Sequence, residues 1–202
     1  MPAPDELQER ARERIRTLER EIQDLRGPPP TAERPPQRMS LETIRILVGL
    51  LAESAVHYVT VLRFDAARRA MGEAIPLLDE VTDPPIIART SLLMAEAMVE
   101  MDAPKHAKTL LETAVSIYDQ SGDQKLAARA RTALARALLL LDDPTGHHVL
   151  AEVRDALIAL GEPQALLRVE ALIQDAQETG DAARSIRAGY GRAVSIPPAR
   201  PT

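Results

Sequence analysis

The pattern of apolar and polar residues along most of this chain has the period of an α-helix. From Ser40 onward, apolar residues recur every three or four positions, which places them on one helix face. Short segments carrying Gly, Pro or Asp interrupt the pattern, and such segments end helices. They lie at residues 63–65, 83–85, 102–104, 122–123, 142–145, 161–163 and 180–181. Seven breaks predict eight helices in this part of the chain.

Small residues recur within these helices at separations of 12 and then 7 positions. Small side chains at matched points of two consecutive helices let their axes approach closely. The pattern therefore predicts helical hairpins that repeat one kind of contact. The first members of the sets lie 40, 42 and 34 residues apart. The four sets are Ala55, Ala67 and Ala74; Ala95, Ala107 and Ala114; Ala137, Val149 and Ala156; and Ala171, Ala183 and Tyr190.

At these positions the chain resembles the tetratricopeptide repeat family, whose unit is a helix–turn–helix hairpin. Leu51, Tyr58 and Phe64 also stand where that family places apolar or aromatic residues, and the resemblance covers about residues 48–193. It implies an all-α fold, a right-handed superhelical stack of about four hairpins. The first two unit distances exceed the family's usual period of about 34 residues, and HEAT-type repeats come nearer to them. Arg187 and Tyr190 also depart from the pattern, so the fourth unit is a capping repeat or an unrelated helix pair.

The N-terminal residues 5–26 carry a different, seven-residue pattern. Apolar residues occupy heptad positions a and d, with branched residues at a, which favours a parallel two-stranded coiled coil. We therefore expect a homodimer formed by this helix. Docking of the helix onto the rest of the chain and a solvated, unpaired helix are the alternatives. The residues expected to dimerise are Ala11, Ile15, Leu18, Ile22 and Leu25.

Charged residues beside this stripe agree with the dimer register. In a parallel pair, position g of one helix faces position e of the next heptad on its partner. Arg14 would then face Glu19, and Glu21 would face Arg26, so that both pairs have opposite charges.

Prolines divide the chain into four parts. Five prolines among residues 27–38 prevent a helix there, because proline lacks the backbone donor. We assign residues 1–26 to the coiled-coil helix, 27–39 to a Pro-rich linker, 40–194 to the helical repeat domain and 195–202 to a disordered Pro-rich tail.

Composition narrows the classes of function. The chain is 45% hydrophobic but only 2% aromatic, which is typical of Ala- and Leu-rich helices. Its net charge of −5 argues against nucleic-acid binding, which needs clustered Lys and Arg. No apolar run approaches the roughly 20 residues of a membrane span, so we expect no membrane insertion. With no Cys and no signal-peptide pattern at the N-terminus, a cytoplasmic location is expected.

Catalytic signatures are missing from the sequence. The chain has no Cys, its nine glycines are scattered rather than gathered in a phosphate-binding loop, and no GxSxG motif occurs. His148 and Glu152 could share one metal ion, but no further ligands accompany them. We therefore expect no catalytic residue, cofactor or metal, and a protein that is not an enzyme.

The resemblance implies a place for partner binding, because the first helix of each tetratricopeptide unit lines the concave face of the stack. The chain contains no Asn, so the clamp with which some family members hold a peptide carboxylate is absent. We expect an apolar groove that binds a peptide or helix of a partner protein, in a non-catalytic adaptor or scaffold. A chaperone-like or regulatory sensor module that shields an apolar client segment or a small ligand is the alternative. The expected groove residues are Val56, Val59, Arg89, Leu92, Glu96, Arg131, Leu134, Leu138, Leu141, Arg168 and Leu172.

Overall fold

The computed structural model describes residues 4–28 and 39–193, of which residues 4 and 180–193 are described by their backbone alone. Over these ranges the chain forms eight α-helices and no strand, which confirms the all-α prediction. Most of the expected linker and all of the expected tail lie outside the described residues. The helices are α1 (Pro4–Arg26), α2 (Leu41–Thr60), α3 (Phe64–Leu78), α4 (Pro84–Glu100), α5 (Pro104–Ser121), α6 (Gln124–Leu140), α7 (Thr145–Leu160) and α8 (Pro163–Ala193).

Consecutive helices pack as hairpins. Helix α2 packs on α3, α4 on α5 and α6 on α7, while α2 also contacts α4, α4 contacts α6 and α6 contacts α8. Each hairpin therefore meets only its neighbours along the chain. The second hairpin joins the third mainly through α5 and α6, which pack together closely.

The expected break at Gly180–Asp181 is wrong, because α8 continues through it to Ala193. There are consequently three hairpins and one single helix after α1, rather than four hairpins. A glycine inside a helix costs only about 1 kcal/mol. A reversal at this point would recover little of that cost, because Ile186 and Tyr190 are the only large apolar residues among positions 177–193.

Most helices end in the same turn. A residue with positive φ follows the last turn, and the next backbone N–H donates to the carbonyl five residues earlier, as Arg63 does to Tyr58 at 2.8 Å. This is the Schellman arrangement, which satisfies carbonyls left open at a helix end. The positive-φ residues are Leu62, Asp102, Gly122, Asp142 and Gly161.

Small residues sit where the helices of each hairpin approach most closely. The first set (Ala55, Ala67, Ala74) and the second set (Ala95, Ala107, Ala114) are fully buried, as the sequence pattern predicts. Ala55, Ala95 and Ala135 are all buried, and each lies 40 residues after the one before. The first helices of the three hairpins therefore repeat every 40 residues.

The third and fourth sets need correction. In the third hairpin Ala156 is exposed and Val149 only half-buried, while Gly146 takes the position of closest approach. The buried residues of α7 are Gly146, Leu150, Val153 and Leu157, which repeat the spacing of Ala107, Leu111, Ala114 and Tyr118 in α5. In the fourth set Ala171 is exposed. The separation of 12 does not hold in the third hairpin, because the step from Ala135 to Gly146 is 11 residues, one fewer than in the first two hairpins.

Helix α1 is docked on the first hairpin. Ala11, Ile15, Leu18 and Ile22 are buried, with Leu18 at 0% exposure, and Leu25 is half-buried. Ile15 and Ile22 belong to the same apolar core as the residues of α2. The stripe expected to form a parallel coiled coil is thus covered within the chain, as in the docking alternative, because α2 offers an apolar face nearby.

Charged side chains fix the direction and register of α1. The Arg14 Nε donates to Glu53 Oε1 at 2.7 Å, and the Tyr58 hydroxyl donates to Glu19 Oε1 at 2.7 Å. Arg26 pairs with Glu73 of α3. Since residues further along α1 meet residues further along α2, the two helices run parallel.

Gly146 gives a direct test of the third hairpin. A Cβ there would lie 2.9 Å from the carbonyl oxygen of Ala135, whereas a Cβ at Gly72 of α3 would meet nothing within 4 Å. We expect Gly146→Ala to lower the free energy of unfolding by about 1–3 kcal/mol through overpacking. Gly72→Ala should raise it by about 0.5–1 kcal/mol, because alanine favours the helix. Denaturant unfolding of both variants measures the difference, and equal effects would contradict the close approach.

Acid should loosen the docking of α1. The hydrogen bond from Arg14 lowers the pKa of Glu53, and burial lowers the pKa of His57 beside it. Both groups resist protonation in the folded chain, so their contribution is present at neutral pH and is lost as pH falls, first at His57 and then at Glu53. Burial, with the hydrogen bond to Glu19, raises the pKa of Tyr58 to about 12, so its contribution is lost only in strong alkali.

Hydrogen exchange between pH 7 and pH 4, corrected for intrinsic rates, measures this effect. Amides of α1 should lose protection relative to those of α4. Replacing Glu53 and His57 with Gln should flatten the dependence. An unchanged ratio of α1 to α4 protection in the parent chain would show that these groups do not govern the docking.

Candidate functional site: a cleft lined by four helices

The described part of the chain contains a concave cleft of about 1160 Å³. Its walls come mainly from α2, α4 and α6, the first helices of the three hairpins, from the single helix α8, and from the α2–α3 turn. These four helices lie side by side because α2 contacts α4, α4 contacts α6 and α6 contacts α8. A continuous surface thus crosses all the units.

The floor of the cleft is apolar and made of small side chains. Ala97 of α4, Ala133 of α6 and Ala165 of α8 contribute to the lining. Larger apolar residues line it as well, and among them Val56 and Val59 of α2 are only half-buried. A hollow of this form accepts large apolar side chains or the close approach of a helix.

Charged residues in the cleft are paired across neighbouring helices. Arg129 of α6 holds Glu96 of α4 with two hydrogen bonds of 2.8 and 2.6 Å. This bidentate contact raises the pKa of Arg129. One turn further along α4, Glu100 pairs with Arg136. Because these charges neutralise one another, the walls formed by α4 and α6 are largely uncharged, whereas α8 adds the charged side chains of one Arg and one Asp to the lining.

A third pair joins α6 to the last helix. Lys125, near the start of α6, pairs with Glu162 just before α8, and this contact raises the pKa of Lys125. The ion pairs therefore connect the second hairpin to the third, and the third to α8. They fix the distance between the helices that form the walls.

Leu62 stands at the rim of the cleft in an unusual conformation. Its φ is 60°, in the left-handed region that costs a residue with a Cβ roughly 1–2 kcal/mol. The equivalent turns of the second and third hairpins carry Asp102 and Asp142, a residue type that tolerates this region better. Leu62 is also 69% exposed. An apolar side chain is thus held out in solvent, beside the cleft, at a position where the fold itself favours Asp.

Five of the eleven residues expected in the groove line this cleft. They come from α2, α4 and α8, and the spacing of the small residues had placed the first two of these helices correctly. The five are Val56, Val59, Glu96, Arg168 and Leu172.

The other six expected residues lie elsewhere. Leu92 and Leu138 are core residues, exposed to only 2% and 4%. Leu134 packs against the main core. Half-buried Leu141 caps the end of α6, and Arg89 is exposed outside the cleft lining. Arg131 turns away and holds Asp119 of α5 at 2.8 and 2.6 Å.

Helix α6 explains most of these errors. Its cleft face is formed by Arg129, Thr132, Ala133 and Arg136, a polar and small-residue stripe at helical spacing. The sequence pattern favours the apolar stripe of Leu134, Leu138 and Leu141 as the groove. In the structure α6 packs between α5 and α7, Leu138 is buried and Leu134 packs against the main core. The missed signal was the alternation of Arg with small residues, matched by Glu96 and Glu100 on α4.

Other chemistry has little support among the described residues. No group of three or more His, Asp or Glu side chains could hold a metal ion there. His148 contacts Glu152 at 3.4 Å on an exposed face of α7. A smaller depression of about 570 Å³ between α5, α6 and α7 contains the Arg131–Asp119 pair. Across the described ranges, no helix has the length and apolarity that crossing a membrane demands.

Comparison of the chain with protein-family models, with curated proteins and with solved structures gives no match in any of the three. The class of protein is therefore defined by the structure alone. It is an all-helical protein whose consecutive helices pack on one another, compatible with a helical repeat.

The ion pairs between α4 and α6 should contribute to stability, and salt should weaken their contribution. Replacing Glu96 and Glu100 with Gln should lower the free energy of unfolding by about 1 kcal/mol in total, since partly exposed pairs contribute about 0.2–1 kcal/mol each. The loss should shrink at 0.5 M NaCl. As a control, Gln at Glu112 and Glu152, whose ion-pair contacts stay within their own helices, should have a smaller effect. Equal losses in both double variants, measured by denaturant unfolding, would contradict a wall-fixing role.

Proposed function

We propose that this chain is a non-catalytic adaptor that binds an apolar segment of a partner protein in the cleft. The observation that carries the proposal is Leu62, an exposed apolar residue held in a left-handed conformation at the cleft rim. Strain and solvent exposure both cost stability, and such costs cluster at functional sites. A partner that covers Leu62 would recover the cost of exposure.

The partner that best fits is an amphipathic helix. The floor of Ala97, Ala133 and Ala165 leaves room for bulky anchors, and the chain supplies only one aromatic side chain, Phe64, to the cleft. Helices bound in grooves use such anchors at positions i, i+3 or i+4, and i+7. Because the cleft charges of α4 and α6 are already paired, the face of the partner that lies against these two helices should be uncharged.

A tetratricopeptide-like arrangement supports this reading. In that family the first helices of successive units line the concave face, and here α2, α4, α6 and α8 line the cleft. The three matched turns and the 40-residue spacing of Ala55, Ala95 and Ala135 agree with repeated units. We propose that the three hairpins and α8 form a right-handed stack of this kind, with α1 as its N-terminal cap.

Replacing Leu62 with Asp, the residue of the equivalent turns, tests the function. The free energy of unfolding should stay unchanged or rise by up to about 1 kcal/mol, because Asp suits the left-handed region better. Partner capture should fall at least tenfold, because a carboxylate would be desolvated in the complex. The measurements are denaturant unfolding and quantitative capture from the native lysate, with the parent chain as reference.

Ile158→Asp is the matched control, since Ile158 is 58% exposed on α7 and does not line the cleft. It should leave capture unchanged. Undiminished capture by Leu62→Asp would contradict the cleft as the binding site. A single copurified small molecule that Leu62→Asp releases would favour the sensor alternative, and many unrelated captured proteins would favour the chaperone-like one.

A further inference from the structure

The charged residues of α1 have two sets of possible partners. In the docked helix Arg14 binds Glu53, Glu19 accepts from Tyr58, and Arg26 binds Glu73. In a parallel pair of α1 helices the same residues would face each other, Arg14 opposite Glu19 and Glu21 opposite Arg26. Both sets join opposite charges or a donor to an acceptor. The helix is therefore complementary to the first hairpin and also to itself.

The apolar stripe of α1 is likewise complementary both to the first hairpin and to a second copy of α1. Ile15, Leu18 and Ile22 are buried in the docked helix, and they occupy the a and d positions of the heptad pattern. One stripe cannot be buried in both places at once. Docking and self-pairing of α1 are therefore mutually exclusive.

The connection to the body permits release. Because α1 runs parallel to α2, the end of α1 at Arg26 lies about the 30 Å length of the 20-residue α2 from the start of α2 at Leu41. The residues 27–40 between these two points can span at most roughly 50 Å. Helix α1 can thus leave its site without any change in the hairpins.

We propose that α1 is a releasable latch, docked on the first hairpin in the monomer and paired in parallel with α1 of a second copy once released. The docked state dominates in the isolated chain, because release uncovers apolar surface on α2. Any change that weakens only the docked contacts shifts the population towards the dimer. The dimer fraction also rises with concentration, because pairing joins two chains.

Reversing two charges on the hairpin weakens docking without altering α1. Glu53→Arg and Glu73→Arg would place like charges beside Arg14 and Arg26. The matched control reverses Glu42 and Asp65, carboxylates on the same two helices that pair with Arg45 and Arg68 instead of with α1. Thermal unfolding of each variant shows that the hairpins remain folded.

A single cysteine reports pairing, because the parent chain contains none. Gln8→Cys lies at an a position, where two parallel helices bring their Cβ atoms close enough for a disulfide. Glu13→Cys lies at the outermost f position and should not cross-link. Both reporters are placed in the parent chain, in the Glu53/Glu73 variant and in the Glu42/Asp65 control, and oxidised at equal concentration.

The expected result is at least tenfold more cross-linked dimer through Cys at position 8 in the Glu53/Glu73 variant than in the parent or the control. Hydrogen exchange of residues 11–25 should rise in the same variant when it is held below the dimerisation concentration. Faster exchange without cross-linking would overturn the proposal, since α1 would then be released without pairing. Unchanged exchange, or equal cross-linking through position 13, would overturn it as well.

Discussion

The structure depends on the close approach of helices at small side chains. In each of the first two hairpins one alanine of the first helix and two alanines of the second are fully buried. Gly146 carries this to its limit in the third hairpin, where even a Cβ would collide with the backbone of α6. Short distances between axes let Leu and Met side chains interlock around the alanines. The chain thereby forms a densely packed core although only 2% of its residues carry large aromatic side chains.

Much of this fold could be read from the sequence. Six of the seven expected breaks are helix ends, because Gly, Pro and Asp act through local backbone preferences. The predicted helix end at Gly180 was wrong, because a local backbone preference ends a helix only where reversing the chain buries further apolar surface. The predicted set of small residues in the third hairpin was wrong for a related reason. Alanine is so frequent that Ala137 and Ala156 also fit separations of 12 and 7, whereas the buried set Ala135, Gly146 and Val153 has separations of 11 and 7.

The cleft was harder to predict than the fold. An apolar stripe on a helix shows that something covers it, but not whether the cover is another helix or a partner. Leu138 is covered by the chain itself. Arg129 and Glu96 drew no attention as a pair, because they lie 33 positions apart and meet only once α4 and α6 are packed. The stripe on α1 shows the same ambiguity, since its heptad pattern fits a second copy and its contacts are with α2.

The walls of the cleft belong to separate units that touch only their neighbours along the chain. A small rotation at each junction between units leaves the packing inside each hairpin unchanged. Such rotations add up along the chain and change the distance between α2 and α8. Each contact between neighbouring helices, including the ion pairs, holds one junction, but small changes at successive junctions add up in the width of the cleft. A bound helix that touches all four walls would remove this freedom. Binding of a helix in the cleft would then increase the stiffness of the whole stack, from the first hairpin to the last helix.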